Sequence, residues 1–185
     1  MWPMSTYHHG DLPAALLKAA GTALEQKGIA SLSLRDAARR AGVSHNAPYR
    51  HFPHREALLA ALAAEGFALL AERLRGRQGP ELGVAYVQFA LQHPQRFRLM
   101  FGGVSPMGDA ARQAYGVVLD AFKALPRPEL AAAAAWSLMH GLAQLLLEGH
   151  LPGASAREVL GAVRFAVAPQ RSGWANSPAQ SSRRT

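Results

Sequence analysis

Apolar residues recur at helical spacing along most of the chain, in Ala- and Leu-rich stretches separated by Gly and Pro. No stretch alternates β-branched and aromatic residues with period two, so the pattern predicts an all-α protein. A first helix is expected over 12–27, with Leu16, Ala20 and Leu24 on one face, Asp11 as its cap and Gly28 as its stop. Two short helices follow at 34–41 and 45–52. A long one begins at Arg55 and runs to Arg75, where Gly76, Gly79 and Pro80 end it. Further helices are expected over 81–92, 94–101, 109–125, 129–148 and 156–168. Pro94, Pro106, Pro126, Pro128 and Pro152 fall where a helix can start or stop. From Pro169 the chain is Ser/Gly/Pro-rich and without period, which predicts a disordered tail.

Composition narrows the class. The 185 residues suffice for one domain or two small ones, and 49% hydrophobic residues with 37 alanines suit a packed helical protein. There is no cysteine, which excludes disulfides, thiolate metal sites and cysteine nucleophiles. No Lys/Arg-led apolar stretch opens the sequence, so the expected location is cytoplasmic. The run 130–147 carries no charge and is long enough to raise a membrane span. Its Ser137, His140 and Gln144 favour a buried helix or a subunit interface instead, with no membrane partner.

Charge changes the picture further. Of the net +8, residues 1–55 carry +4 and five of the eight histidines, residues 56–168 carry +1, and residues 169–185 carry +3. A basic head on a nearly neutral body points to a polyanion as the partner of the head.

The most informative stretch is 33–52. Ser33 and Asp36 stand three apart at a helix start, a capping-box-like pair with Asp in place of Glu. Ala37 and Ala38 are small enough for a second helix to approach, and Gly42 can take positive φ. Val43 can plug the angle between the helices and Ser44 can cap the next one. This is the short-turn helix pair whose second member enters the DNA major groove.

The segment 32–59, with Gly42-Val43-Ser44, Tyr49-Arg50-His51-Phe52 and Glu56-Ala57-Leu58-Leu59, resembles the DNA-binding head of TetR/AcrR-type transcriptional regulators. The opening Tyr7-His8-His9-Gly10-Asp11-Leu12 matches a subset of that family. Trp136, His140 and Gly141, preceded by His93-Pro94 and Arg96-Phe97, resemble the WHG type of C-terminal domain. The resemblance implies that His45, Asn46, Ala47 and Arg50 face base edges. Arg can pair with guanine, Asn with adenine, and Ala can pack on a thymine methyl. It implies further that Arg35 reaches a base or phosphate and that Ser33, Ser44, Tyr49, His51 and Arg55 hold phosphates. A core or capping role stays open for His51. Two departures from the family pattern are Pro48, where a helical N–H is normally used, and His54, where a better cap such as Ser or Asp is common.

In the body, Trp136 and His140 lie four apart and share a helix face. Gly141 would permit a close backbone approach. Tyr86, Phe89, Phe97, Met100, Phe101, Tyr115 and Met139 can line a ligand cavity bordered by Trp136 and His140, and they serve equally well as ordinary core. His93, His140 and His150 have no carboxylate at ligand spacing, and no P-loop, GxGxxG, GxSxG or HExxH occurs, so no metal, cofactor or enzymatic activity is expected.

The resulting expectation is an all-α, ligand-responsive transcriptional regulator, a repressor released by a small-molecule effector. It acts as a homodimer on double-stranded DNA with a palindromic operator. Residues 1–55 form the helix-turn-helix domain, 56–168 the sensing and dimerisation domain, and 169–185 a tail. The alternatives are a ligand-independent DNA-binding or architectural protein and, more remotely, a small helical enzyme built around His140.

Overall fold

The structure, a computed structural model, describes residues 12–102 and 108–163. The expected Asp11 cap, most of the 7–12 segment, Pro106, the end of the last expected helix and the 169–185 tail lie outside them. Among the described residues there are eight α-helices and no strand: α1 (Leu12–Lys27), α2 (Leu34–Arg40), α3 (Arg55–Leu74), α4 (Gly79–Gln92), α5 (Pro94–Phe101), α6 (Asp109–Phe122), α7 (Pro128–Leu147) and α8 (Ala156–Ala162).

The helix ends have local causes. Gly28, at φ 75°, stops α1. Helix α2 closes in a Schellman motif. Gly42, at φ 71°, donates its N–H to the carbonyl of Arg39, and Val43 donates to that of Ala38. Gly149 and His150 close α7 in the same way, on Leu146 and Leu145. Helix α6 ends at Phe122, short of the expected 125, because the residue before Pro126 is disfavoured in the helical region. The chain leaves it through turns in which Lys123 and Leu125 donate three residues back.

Two apolar cores result. The head core gathers Leu16, Ala20 and Leu24 of α1, Leu34 and Ala37 of α2, Phe52, and Leu58, Leu59 and Leu62 of α3. Each buried leucine contributes about 1.5–3 kcal/mol. The body core holds Phe67, Leu70 and Leu74 from the far half of α3, together with the buried faces of α4, α6 and α7 and Leu160 of α8. Helix α3 therefore serves both cores. Helix α5 also faces both ways: Leu99 belongs to the head core, Phe97 and Met100 to the body core.

Candidate nucleic-acid interface and sensor cluster

In the head, Ser33 Oγ accepts the backbone N–H of Asp36 at 3.1 Å and so caps α2. The reciprocal half of the expected box is not made among the described residues. The Asp36 carboxylate is taken by Arg40, with Nε at 2.7 Å, and by Arg39. These bonds, that from Arg40 foremost, hold the Asp36 carboxyl below the usual carboxylate range.

The expected helix at 45–52 is corrected to a short 3-10 turn, Ala47–Arg50. The cause is Pro48. A helix begun at His45 would need its missing N–H for the Ser44 carbonyl, and Ala47 bonds that carbonyl instead, at 3.0 Å. Pro48 is buried, and its own carbonyl accepts from both His51 and Phe52. This anchors the turn through Pro48 and Phe52 and leaves Ser44, His45, Asn46, Tyr49, Arg50 and His51 exposed, with Ala47 half-buried. The side chains of those six make no hydrogen bond or ion pair among the described residues. Arg35 is exposed on α2.

Arg55 stands differently. Its guanidinium is turned into the protein, where Nε donates to the Leu32 carbonyl at 2.9 Å and Nη2 to that of Ile29 at 2.6 Å. The side chain that the resemblance assigns to phosphate thus ties the 29–32 connection to the start of α3. His54, the second departure noted in the sequence, is a working cap, since its Nδ1 accepts the N–H of Ala57 at 3.2 Å.

Six of the nine sensor candidates come together as one aromatic cluster. His140 lies 4.5 Å from the Phe101 ring and 5.3 Å from Phe97 between centroids. Trp136 lies 5.3 Å from Tyr86 and 5.6 Å from Tyr115. Tyr86 is fully buried and its hydroxyl is 3.0 Å from His140 Nδ1. Burial pushes the Tyr86 hydroxyl well above its ordinary range and lowers the pKa of His140. The other three candidates lie elsewhere. Phe89 packs on His93 at 5.2 Å, Met100 covers Gly66, and Met139 covers Gly83. Met139 also lines a separate apolar cavity of about 80 Å³ with Gly79, Leu82, Phe122, Leu160 and Val163.

Gly141 has nothing within 4 Å of where its Cβ would stand, so the close approach expected there does not occur within the described part of one chain. Helix α7 passes the length and hydropathy test for a membrane span, and only 28% of its most apolar window is buried. Leu130 and Leu145, 55% and 42% exposed, lie on its open side with Ala133, Ala134, Ser137 and Gly141.

Sequence reasoning missed a polar joint between the two cores. The Glu25 carboxylate of α1 accepts the backbone N–H groups of Gln95 and Arg96 at 3.2 and 3.1 Å, capping α5. The Arg96 guanidinium, on a residue only 9% exposed, bonds Glu65 of α3 at 2.6 Å. Gly21 and Gly66 make the room. A Cβ on Gly21 would lie 2.5 Å from Arg96 Nη2, and one on Gly66 would lie 2.7 Å from Met100 Sδ. The one available signal was Arg96 beside Phe97 in the short helix after Pro94.

Residues 16–62 match the family model described as bacterial regulatory proteins, tetR family, and residues 80–169 match that of the tetracyclin repressor-like C-terminal domain. No curated protein matches. Among solved structures, a protein with unknown function from Rhodococcus sp. RHA1 is similar at 34% identity over 86% of this chain and 94% of its own, with a TM-score of 0.74. The multidrug binding protein EbrR, complexed with imidazole, shares 24% identity over 87% and 96% of the two chains, with a TM-score of 0.61. A point variant of TetR from Acinetobacter baumannii AYE, in complex with minocycline, shares 23% identity over 74% and 79%, with a TM-score of 0.58. Two family models spanning head and body, on an all-α fold with an exposed helix-turn-helix, establish that the chain belongs to the tetR family of bacterial regulatory proteins and is a DNA-binding transcriptional regulator.

Proposed function

We propose that the protein is a repressor that binds a palindromic operator as a homodimer and leaves it when a small molecule occupies the body. The observation that carries the reading is the free row from Ser44 to His51, offered to solvent by a turn anchored on buried Pro48 and Phe52. Asn46, Ala47, Arg50 and His45 supply base-edge chemistry, and Ser33, Arg35, Ser44, Tyr49 and His51 supply phosphate contacts around it. Residues 1–55 serve DNA binding and 56–168 sensing and dimerisation, in a protein without enzymatic activity that works in the cytoplasm.

The open apolar side of α7 supports the dimer. Leucines at its ends and small residues between them suit a second copy of the same helix packed close. Two heads whose reading turns lie about 34–36 Å apart, one DNA turn, can enter successive major grooves. A ligand favouring another separation releases them, and reversing a 99:1 preference requires about 5.5 kcal/mol of differential affinity. The aromatic cluster at Trp136 and His140 supports a sensor there. The minocycline and imidazole complexes of the two similar structures show small molecules bound to those proteins.

Selection of operators from random double-stranded DNA tests the reading. The expected result is an inverted repeat with two half-sites one turn apart. Recovery of no preferred sequence would favour an architectural protein.

A further inference from the structure

The hydrogen bond between Tyr86 and His140 fixes which imidazole nitrogen carries the proton. Tyr86 is fully buried, and the only partner of its hydroxyl among the described residues is His140 Nδ1 at 3.0 Å. If Nδ1 donated to the phenol, the phenolic proton would be left in the core without an acceptor, which is costly for a buried donor. The hydroxyl therefore donates, Nδ1 accepts, and the neutral imidazole keeps its proton on Nε2. Burial favours that neutral form.

The Nε2–H has no protein partner among the described residues, yet no buried side-chain nitrogen or oxygen in them lacks one. His140 is half-buried, so this donor is left for a partner from outside the described residues. The same reasoning holds for the indole N–H of half-buried Trp136, one helical turn away. Two N–H donors without a partner among the described residues thus stand on one face of α7 beside the rings of Phe101 and Tyr115, which are also half-buried. The six side chains of the cluster include no carboxylate and no permanent cation. The two donor hydrogens oppose a cationic guest, against the cation–π attraction the rings offer it, and the lack of a counter-charge leaves an anion unpaired. The rings favour an aromatic one.

We propose that the sensor cluster takes an uncharged aromatic compound whose carbonyl-type oxygen accepts the Nε2–H of His140, with the Trp136 indole N–H as a second donor. The assignment rests on the sensor reading given under Proposed function. It makes His140 a specificity-determining residue and Tyr86 the positioning residue that holds its tautomer.

The test begins with the free protein, labelled with ¹⁵N at histidine and tryptophan. Imidazole ¹⁵N shifts at pH 7.5 are expected to show His140 as the Nε2–H tautomer, and Tyr86→Phe is expected to shift it towards a mixture. An Nδ1–H tautomer in the unaltered protein would overturn the proposal. Acetophenone and phenyltrimethylammonium, similar in size and opposite in polar character, are then titrated separately. Acetophenone is expected to move the Trp136 indole and His140 Nε2 signals saturably, with an affinity about tenfold above that of the cation, a net hydrogen bond's worth. His140→Gln, which keeps an N–H donor, should retain more of that affinity than His140→Ala. Equal or tighter binding of the cation, or no saturable shift with acetophenone, overturns the assignment. Occupancy of a selected operator is followed in the same titrations. Binding of acetophenone without operator release sinks the sensor reading and leaves the acceptor assignment standing. Release by the cation alone sinks the acceptor assignment and leaves the sensor reading standing.

Discussion

Glu25 and Arg96, seventy-one residues apart, meet where the carboxylate of the first accepts the backbone N–H of the second at 3.1 Å and so caps α5 from α1. The guanidinium of the same arginine reaches past Gly21 to Glu65, so three helices share one polar joint inside an otherwise apolar junction.

Glu25→Ala removes that cap and is expected to lower stability by about 0.5–2 kcal/mol. Gly21→Ala should destabilise as well, against its helix-propensity gain of about 1 kcal/mol, because the new Cβ collides with the Arg96 guanidinium. In an Arg96→Ala background the same change should become stabilising. Urea unfolding of the double-mutant cycle checks this. Equal effects of Gly21→Ala in both backgrounds would show that the contact is not what opposes it.

Arg55→Ala is expected to cost about 1–3 kcal/mol of stability by orphaning the carbonyl of buried Leu32, while that of Ile29 keeps the N–H of Leu32 at 3.2 Å. Arg55→Lys should recover only part of it, since an ammonium does not reproduce the two-pronged geometry. The salt dependence of DNA binding, measured below the unfolding transition, should keep the slope of the unaltered protein.

Arg50→Ala and Asn46→Ala are expected to relax preference at one base pair each per half-site, losing about 1–3 kcal/mol of discrimination. Tyr49→Phe should weaken all sequences alike. Competition binding with randomised half-sites distinguishes the two patterns, and an unchanged preferred sequence in Arg50→Ala would remove that residue from the reading face.

His140 carries a pH signature. Its folded pKa lies below the ordinary 6.5 because burial disfavours the charged ring. The unfolded chain thus binds the proton first. Stability should be undiminished above pH 6.5, fall as pH drops through that value, and level off once the folded protein is also protonated. Thermal unfolding of the wild type and His140→Gln across pH 5–8 isolates this contribution as the part of the slope lost in the variant.

On the open side of α7, Leu145→Glu and Leu130→Glu should yield monomers that bind half-sites weakly, since a dimer interface would bury each carboxylate without a partner. Sedimentation equilibrium reads the oligomeric state, and dimers that persist in both variants would place the interface elsewhere.

What the sequence disclosed follows from how local each cause is. The end of α1 was legible because Gly28 stops it, and the start of α5 because Pro94 begins it. The charge-free run over 130–147 marked α7. The turn at 47–50 is shorter than the helix expected over 45–52 because the missing N–H of Pro48 decides the local conformation. Of the residues proposed to read bases, the exposure of His45, Asn46 and Arg50 was foreseeable from their polarity. The inward turn of Arg55 was not, because its acceptors are carbonyls more than twenty residues upstream. The Glu25–Arg96 contact and the grouping of Tyr86 with His140 join distant positions, and no periodicity reports such a pairing.

The membership of α3 in both cores has a genetic consequence. Leu58 and Leu62 at one end and Leu70 and Leu74 at the other are turns of one continuous rod, so loosening either core frays the support of the other. Defects deep in the body that touch neither DNA nor ligand should therefore surface as loss of repression. A screen for constitutively expressed target genes would return many such alleles, separable from true contact mutants by their recovery at lower temperature.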